Sequence, residues 1–221
     1  MSAPVRLRSG AEARWTNAVG NRAVVLVNGG QSRDVPGTWS STLEWLVRAL
    51  APRFPELAFL EVKYRSKSWR QLDRCVEDAE DALELARERG VERCALVGFS
   101  MGGAVAIGAA ADPAVTSVVG LAPWIPDRLE LGPLRGRRFA VLHGALDRGF
   151  PGIPGVHPDG SRRGFERVRA LGVLDAEYTV IPGGLHGVAV RGRWGLVRLP
   201  RAGRWADGLA RELERFTDIR T

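Results

Sequence analysis

Two cysteines, three histidines and only two lysines occur among 221 residues, and each scarcity removes a class of chemistry. Cys75 and Cys94 are too few for a disulfide framework, and neither has metal-ligand spacing, so both are expected to be reduced and structural. No histidine pair or carboxylate cluster is spaced to hold a metal. G-x-x-x-x-G-K-[ST] is missing, as is any G-x-G-x-x-G after a strand, which argues against nucleotide binding at Gly29-Gly30. No stretch approaches the roughly 20 apolar residues of a membrane span. Residues 1–10 carry Arg6 and Arg8 but no apolar run with a small-residue cleavage site after it. A cytoplasmic protein with no membrane association and no cofactor is expected.

Lys63 and Lys67 are the only lysines among 32 basic residues, the rest being arginine. A codon bias produces that ratio as readily as phosphate binding does. The net charge of +7 is spread along the chain, with short clusters only at Arg135 to Arg138 and Arg191 to Arg204. A solvated basic surface is therefore expected, and no nucleic-acid partner. With 45% apolar and 26% charged residues, the composition is that of an ordinary globular chain. Its length fits one α/β domain, residues 1–221, burying roughly 70–75% of the unfolded chain's surface.

Short apolar runs alternate with longer amphipathic stretches, the pattern of parallel strands joined by crossover helices. The runs are Ala23 to Val27, Leu57 to Val62, Cys94 to Phe99, Val115 to Leu121, Phe139 to Leu142 and Ala176 to Ile181. Helical spacing marks Thr38 to Leu50 and Ser68 to Arg89, a helix starting at Ser100, another over Arg162 to Leu171, and a closing one over Trp205 to Phe216. Residues 1–22 fit an antiparallel edge hairpin, and Val188 to Pro200 a loop with a short hairpin on an edge. Pro123 to Gly136 and Gly149 to Gly160 are loops by composition; they follow strands, where ligands of open parallel sheets bind. The first is too short for a sizeable lid.

One segment concentrates the chemistry. Gly98-Phe99-Ser100-Met101-Gly102 reads G-x-S-x-G directly after the apolar run Ala95-Leu96-Val97 and before the helix-forming Ala104 to Ala111. Such a strand-to-helix turn is a nucleophile elbow, in which glycines two residues either side of the serine avoid collision. A serine hydroxyl needs a histidine to take its proton and a carboxylate to orient that histidine. Of His143, His157 and His186, only His186 follows the last expected strand in a glycine turn, Pro182 to Gly187. Asp147, after the strand Phe139 to Leu142, is the favoured acid, with Asp127 after the preceding strand as rival. His143 fits a structural hydrogen-bonding role, and His157, between prolines, a solvated loop. Trp39 and Trp124 lie in loops expected near the site, where they suit either a pocket wall for an apolar or aromatic acyl group or ordinary core packing.

The glycine turn at Asn28-Gly29-Gly30-Gln31, the serine elbow, His143-Gly144-Ala145-Leu146-Asp147 and the late Gly183-Gly184-Leu185-His186-Gly187 occur in an order that resembles the α/β-hydrolases over residues 23–187. Small dienelactone-hydrolase-like and esterase-like members are the most similar. The resemblance implies a mostly parallel eight-stranded sheet with helices on both faces and a minimal lid. It also implies Ser100 as nucleophile, Asp147 as acid and His186 as base. The oxyanion amides would come from Met101 and from either Gly30 or Gln31. Many dienelactone hydrolases use cysteine where this chain has Ser100, so the lactone substrate does not carry over. Asn28 stands where many members have histidine. The expected activity is hydrolysis of a small-molecule carboxylic ester or thioester through an acyl-enzyme. Acyl transfer on the same triad, or a noncatalytic binding protein of the same fold, are the alternatives. Oligomeric state is left open.

Overall fold

The computed structural model describes residues 1–148 and 155–218. Eight strands form one sheet: β1 (Val5–Arg6), β2 (Glu12–Thr16), β3 (Arg22–Val27), β4 (Ala58–Lys63), β5 (Arg93–Phe99), β6 (Val115–Leu121), β7 (Arg138–Gly144) and β8 (Asp175–Ile181). Their order is β1-β2-β4-β3-β5-β6-β7-β8. The six strands from β4 to β8 run parallel, and β1 and β2 add an antiparallel edge, as the first 22 residues suggested. Parallel strands covered on both faces need continuous apolar runs, and β3, β5, β6 and β7 have them.

Successive side chains alternate between two cores. Val25, Val27, Leu60 and Leu96 point to the face covered by α2 (Leu72–Glu88) and α3 (Gly102–Gly108). Val24, Leu26, Val97 and Leu142 point to the face covered by α1 (Ser41–Leu50) and α5 (Ala202–Asp218). Leu43, Leu46, Val47 and Leu50 form the buried stripe of α1, and Leu209 and Leu213 are fully inward on α5. Helix α4 (Pro158–Arg169) begins four residues earlier than its apolar pattern indicated, because His157 caps it: the imidazole Nδ1 accepts from the Asp159 amide at 3.2 Å. His157 is thus a helix cap rather than a plain loop residue. Helix α3 begins two residues later than Ser100, whose φ of 55° no right-handed helix contains.

Not all the arginines lie on a solvated surface. Arg138 is buried and its guanidinium donates to Glu212 of α5 at 2.9 Å, while Arg14 bonds Glu61 at 2.9 and 3.0 Å and Glu44 at 3.1 Å. All three carboxylates are buried, and a long forked donor satisfies them where a solvated lysine could not. Strands β9 (Ala189–Gly192) and β10 (Gly195–Arg198) form the hairpin expected within Val188 to Pro200. It is tied to α1 by Arg191, which donates to Glu44 at 2.6 Å. Among the described residues no helix is long and apolar enough to cross a membrane.

Candidate active site

The strand order reverses between β3 and β5, so the loops leaving their carboxyl ends diverge and open a crevice there. Residues 28–31 leave β3 and Ser100 leaves β5, which brings the glycine turn and the serine to one place. Ser100 is held by backbone: its amide donates to Leu121 at 2.9 Å, and its carbonyl accepts from Gly103 and Trp124, each at 2.9 Å. A Cβ at Gly98 would fall inside the carbonyl of Gly102, and one at Gly102 would sit 2.7 Å from the Asn28 carbonyl oxygen. The elbow therefore closes only with glycine at both positions. Asn28, where histidine was common in the resemblance, fastens the neighbouring turn: its side-chain amide donates to Thr38 at 3.0 Å and its Oδ1 accepts from Gly29 at 2.7 Å.

The loops that carry Asp147 and His186 are joined to each other. Leu146 donates its amide to the Gly184 carbonyl at 2.9 Å, and a Cβ at Gly144 would lie 2.5 Å from the carbonyls of Gly184 and Leu185. That contact sets Asp147 beside His186, whose Nδ1 lies 2.7 Å from Asp147 Oδ2. The carboxylate is an acceptor, so Nδ1 carries the proton and Nε2 is free to accept one. Phe99 packs against the His186 ring at 5.0 Å between centroids. Burial pushes the Asp147 carboxyl up, but hydrogen bonds from His143 and His186 outweigh it and hold the group below its ordinary range.

His143 is the residue whose part sequence reasoning understated. Fully buried, it directs Nε2 to Asp147 Oδ2 at 3.1 Å and to the Val156 carbonyl at 2.9 Å. Both are acceptors, so Nε2 bears the proton and Nδ1 accepts from Ser161 Oγ at 2.8 Å, which in turn lies 2.8 Å from the Tyr178 hydroxyl. Two histidines thus converge on one oxygen of Asp147, while Oδ1 has no partner among the described residues. Nothing in the sequence marked Ser161 or Tyr178, which lie 18 and 35 positions from His143 in the chain and meet it only through folding.

Ser100, Asp147 and His186 line a cavity of about 510 Å³ together with Gly30, Gln31 and Phe99. Ser100 also lines a second cavity of about 240 Å³, walled by Trp69 and Trp124. Trp124 is accordingly beside the serine. Trp39 lines neither cavity: its ring lies under the Arg14 guanidinium at 4.2 Å, drawn there by the cation that Glu44 and Glu61 hold. Asp127 is 92% exposed, lies 3.8 Å from Arg167 and lines neither cavity. The Pro123 to Gly136 loop contributes Trp124, and residues 155–160 of the other proline-rich loop contribute Val156 and His157 to the smaller cavity. Positions 149–154 of that loop lie outside the described residues.

The fold that carries Ser100 after the fifth strand, Asp147 after the seventh and His186 after the eighth is matched by solved structures over nearly the whole chain. An α/β serine hydrolase without lid from Xanthomonas campestris aligns with a TM-score of 0.67 at 16% identity, covering 99% of this chain and 96% of that one. This chain has the α/β-hydrolase fold. An esterase from Pyrococcus furiosus aligns with a TM-score of 0.67 at 16% identity, covering 96% and 91% of the two chains. A dienelactone hydrolase-like promiscuous phosphotriesterase from metagenomic libraries aligns with a TM-score of 0.63 at 17% identity, covering 96% and 95%. No family model matches the sequence, and no curated protein is significantly similar to it. In keeping with an α/β-hydrolase fold that lacks a large lid, residues 122–137 between β6 and β7 contain only one short 3₁₀ turn, Gly132–Leu134.

Proposed function

We propose that the chain is a single-domain, cofactor-independent serine hydrolase that cleaves a carboxylic ester or thioester through an acyl-enzyme. The observation that carries this reading is a left-handed serine at a strand end sharing one cavity with a histidine whose far nitrogen is 2.7 Å from a buried, ionised aspartate. Ser100 Oγ attacks the carbonyl carbon while His186 Nε2 takes its proton. The tetrahedral oxyanion collapses, the bond to the leaving oxygen or sulfur breaks, and His186 returns the proton to that atom. Water, deprotonated by His186, then attacks the acyl carbon and releases Ser100 and the carboxylic acid. Asp147 keeps Nδ1 protonated and stabilises the imidazolium formed in each half.

Met101 supplies one oxyanion amide, and Gly30 is the better second donor than Gln31. Gln31 is bridged to Ser68, with the Trp69 amide bonded to its carbonyl at 3.0 Å, which commits its backbone to that segment. Gly30 backs directly onto Met101, so closely that a Cβ on it would lie 2.7 Å from the Met101 Cε. Two convergent amides of this kind are worth on the order of 10²–10³ in rate each. The decisive experiment is a fluorophosphonate probe followed by peptide mapping, alongside Ser100→Ala on an activated ester. Stoichiometric labelling at Ser100 and a loss of about 10⁴-fold or more in kcat are expected. Undiminished turnover by Ser100→Ala refutes the assignment.

A further inference from the structure

We infer that the smaller cavity is the acyl pocket and that it selects a flat, single-ring aromatic group, making the preferred substrates esters of arylalkanoic or aryl carboxylic acids. The inference rests on the serine-hydrolase reading above and adds the substrate class to it. Ser100 lines both cavities, whereas His186 and Asp147 line only the larger one. Since the base must hand its proton to the departing oxygen, the alcohol portion has to lie on the His186 side. The acyl substituent is then directed away from His186, into the smaller space.

That space has an aromatic wall and a limited size. Trp69 and Trp124 stand 6.0 Å apart at 26°, too close to admit a ring between them, so a bound ring lies against the pair rather than within it. Both are fastened near the reacting atoms. The Trp124 amide bonds the Ser100 carbonyl at 2.9 Å, and Trp69 follows the fully buried Ser68 and reaches to 3.3 Å of a Cβ position on Gly30, next to the proposed oxyanion amides. A cavity of about 150 Å³ takes one benzene. The 240 Å³ here therefore fits a ring with a linking carbon or two, and the aromatic lining favours that ring over an alkyl chain of equal carbon number. Among the described residues no acidic, lysine or arginine side chain lines it, which suits an uncharged ring; Val156 and His157 complete the lining.

The test uses two substrates with one leaving group and equal acyl carbon number, 4-nitrophenyl phenylacetate and 4-nitrophenyl octanoate. The wild type is expected to favour phenylacetate in kcat/KM by about tenfold, the upper range for an aromatic contact. Trp124→Ala and Trp69→Ala should each lower the phenylacetate-to-octanoate ratio several-fold. Partial unfolding depresses both rates equally and leaves the ratio unmoved, so the ratio reports the wall itself. Independently, free phenylacetate should quench tryptophan fluorescence of Ser100→Ala saturably, and much less so when Trp124→Ala is added. Fluorophosphonate labelling of Ser100 with no aryl preference and no phenylacetate quenching overturns the pocket and leaves the hydrolase reading standing. Absence of labelling overturns that reading and the acyl assignment with it.

Discussion

The two halves of the candidate site are held by different forces. Ser100 is placed by backbone sterics: a turn so tight that glycines must flank it, with its amide and carbonyl bonded to main-chain groups. The loops of Asp147 and His186 meet through backbone contacts as well, but the two side chains are oriented by hydrogen bonds, in a chain running from Tyr178 through Ser161 and His143 to the shared carboxylate oxygen. A steric device tolerates no added atom, whereas a hydrogen-bonded one tolerates exchange of a donor for another of similar reach. The first half should therefore fail abruptly on substitution and the second by degrees.

The steric half breaks most severely. Gly98→Ala puts a methyl against the Gly102 backbone, and because neither segment can move without displacing β5 or α3, the cost should reach about 3 kcal/mol or more. Thermal unfolding should show a large fall in Tm, accompanied by loss of fluorophosphonate labelling. A variant with unchanged Tm and labelling would show that the elbow has slack, and the contrast between the halves would dissolve.

The hydrogen-bonded half is broken by His143→Leu, which removes one of the two donors to Asp147 Oδ2. His143 touches no reacting atom and acts as a positioning residue. The expectation is a fall in kcat of about tenfold, with KM little changed. The pH dependence gives a second readout. A carboxyl held below its unfolded value stabilises the fold above the ordinary carboxylate range of about 4 and loses that contribution as pH falls through the depressed folded value. With one donor gone and burial unchanged, the folded value rises, so acid unfolding should begin at higher pH in His143→Leu than in wild type. His143→Gln retains an N–H of similar reach and should recover part of both effects. Identical acid-unfolding curves for wild type and His143→Leu would mean that the His143 bond to Asp147 contributes nothing.

This division also accounts for what could be read in advance. Glycine punctuation is local, so the elbow at Gly98 to Gly102, the strand β5 before it and the six parallel strands were legible from neighbouring residues alone. The edge hairpin and the β9–β10 hairpin were legible from turn chemistry, apart from their exact ends. The helix at Pro158 was misplaced because its cap is a histidine, an unusual acceptor for that position. Trp39 was misjudged because its loop comes near the site in sequence while a long-range cation, Arg14, draws the ring elsewhere. The Ser161–His143 and Tyr178 contacts link β7, α4 and β8, and no spacing along the chain encodes such a meeting.

The smallest test returns to the steric half with a methyl removed instead of added. Ala122 follows β6 directly, is fully buried and has a φ of 45°, a left-handed conformation that costs an L-residue roughly 1–2 kcal/mol. Ala122→Gly relieves that strain, but it loosens the unfolded chain by about 0.4–1 kcal/mol and forfeits about 0.8 kcal/mol of methyl burial. The contributions nearly cancel, so stability should stay within about 1 kcal/mol of wild type in urea denaturation. One methyl added at residue 98 should thus cost several times what one methyl removed at residue 122 does, although both residues border the same turn. If Ala122→Gly were as damaging as Gly98→Ala, close packing rather than backbone conformation would have to govern both positions.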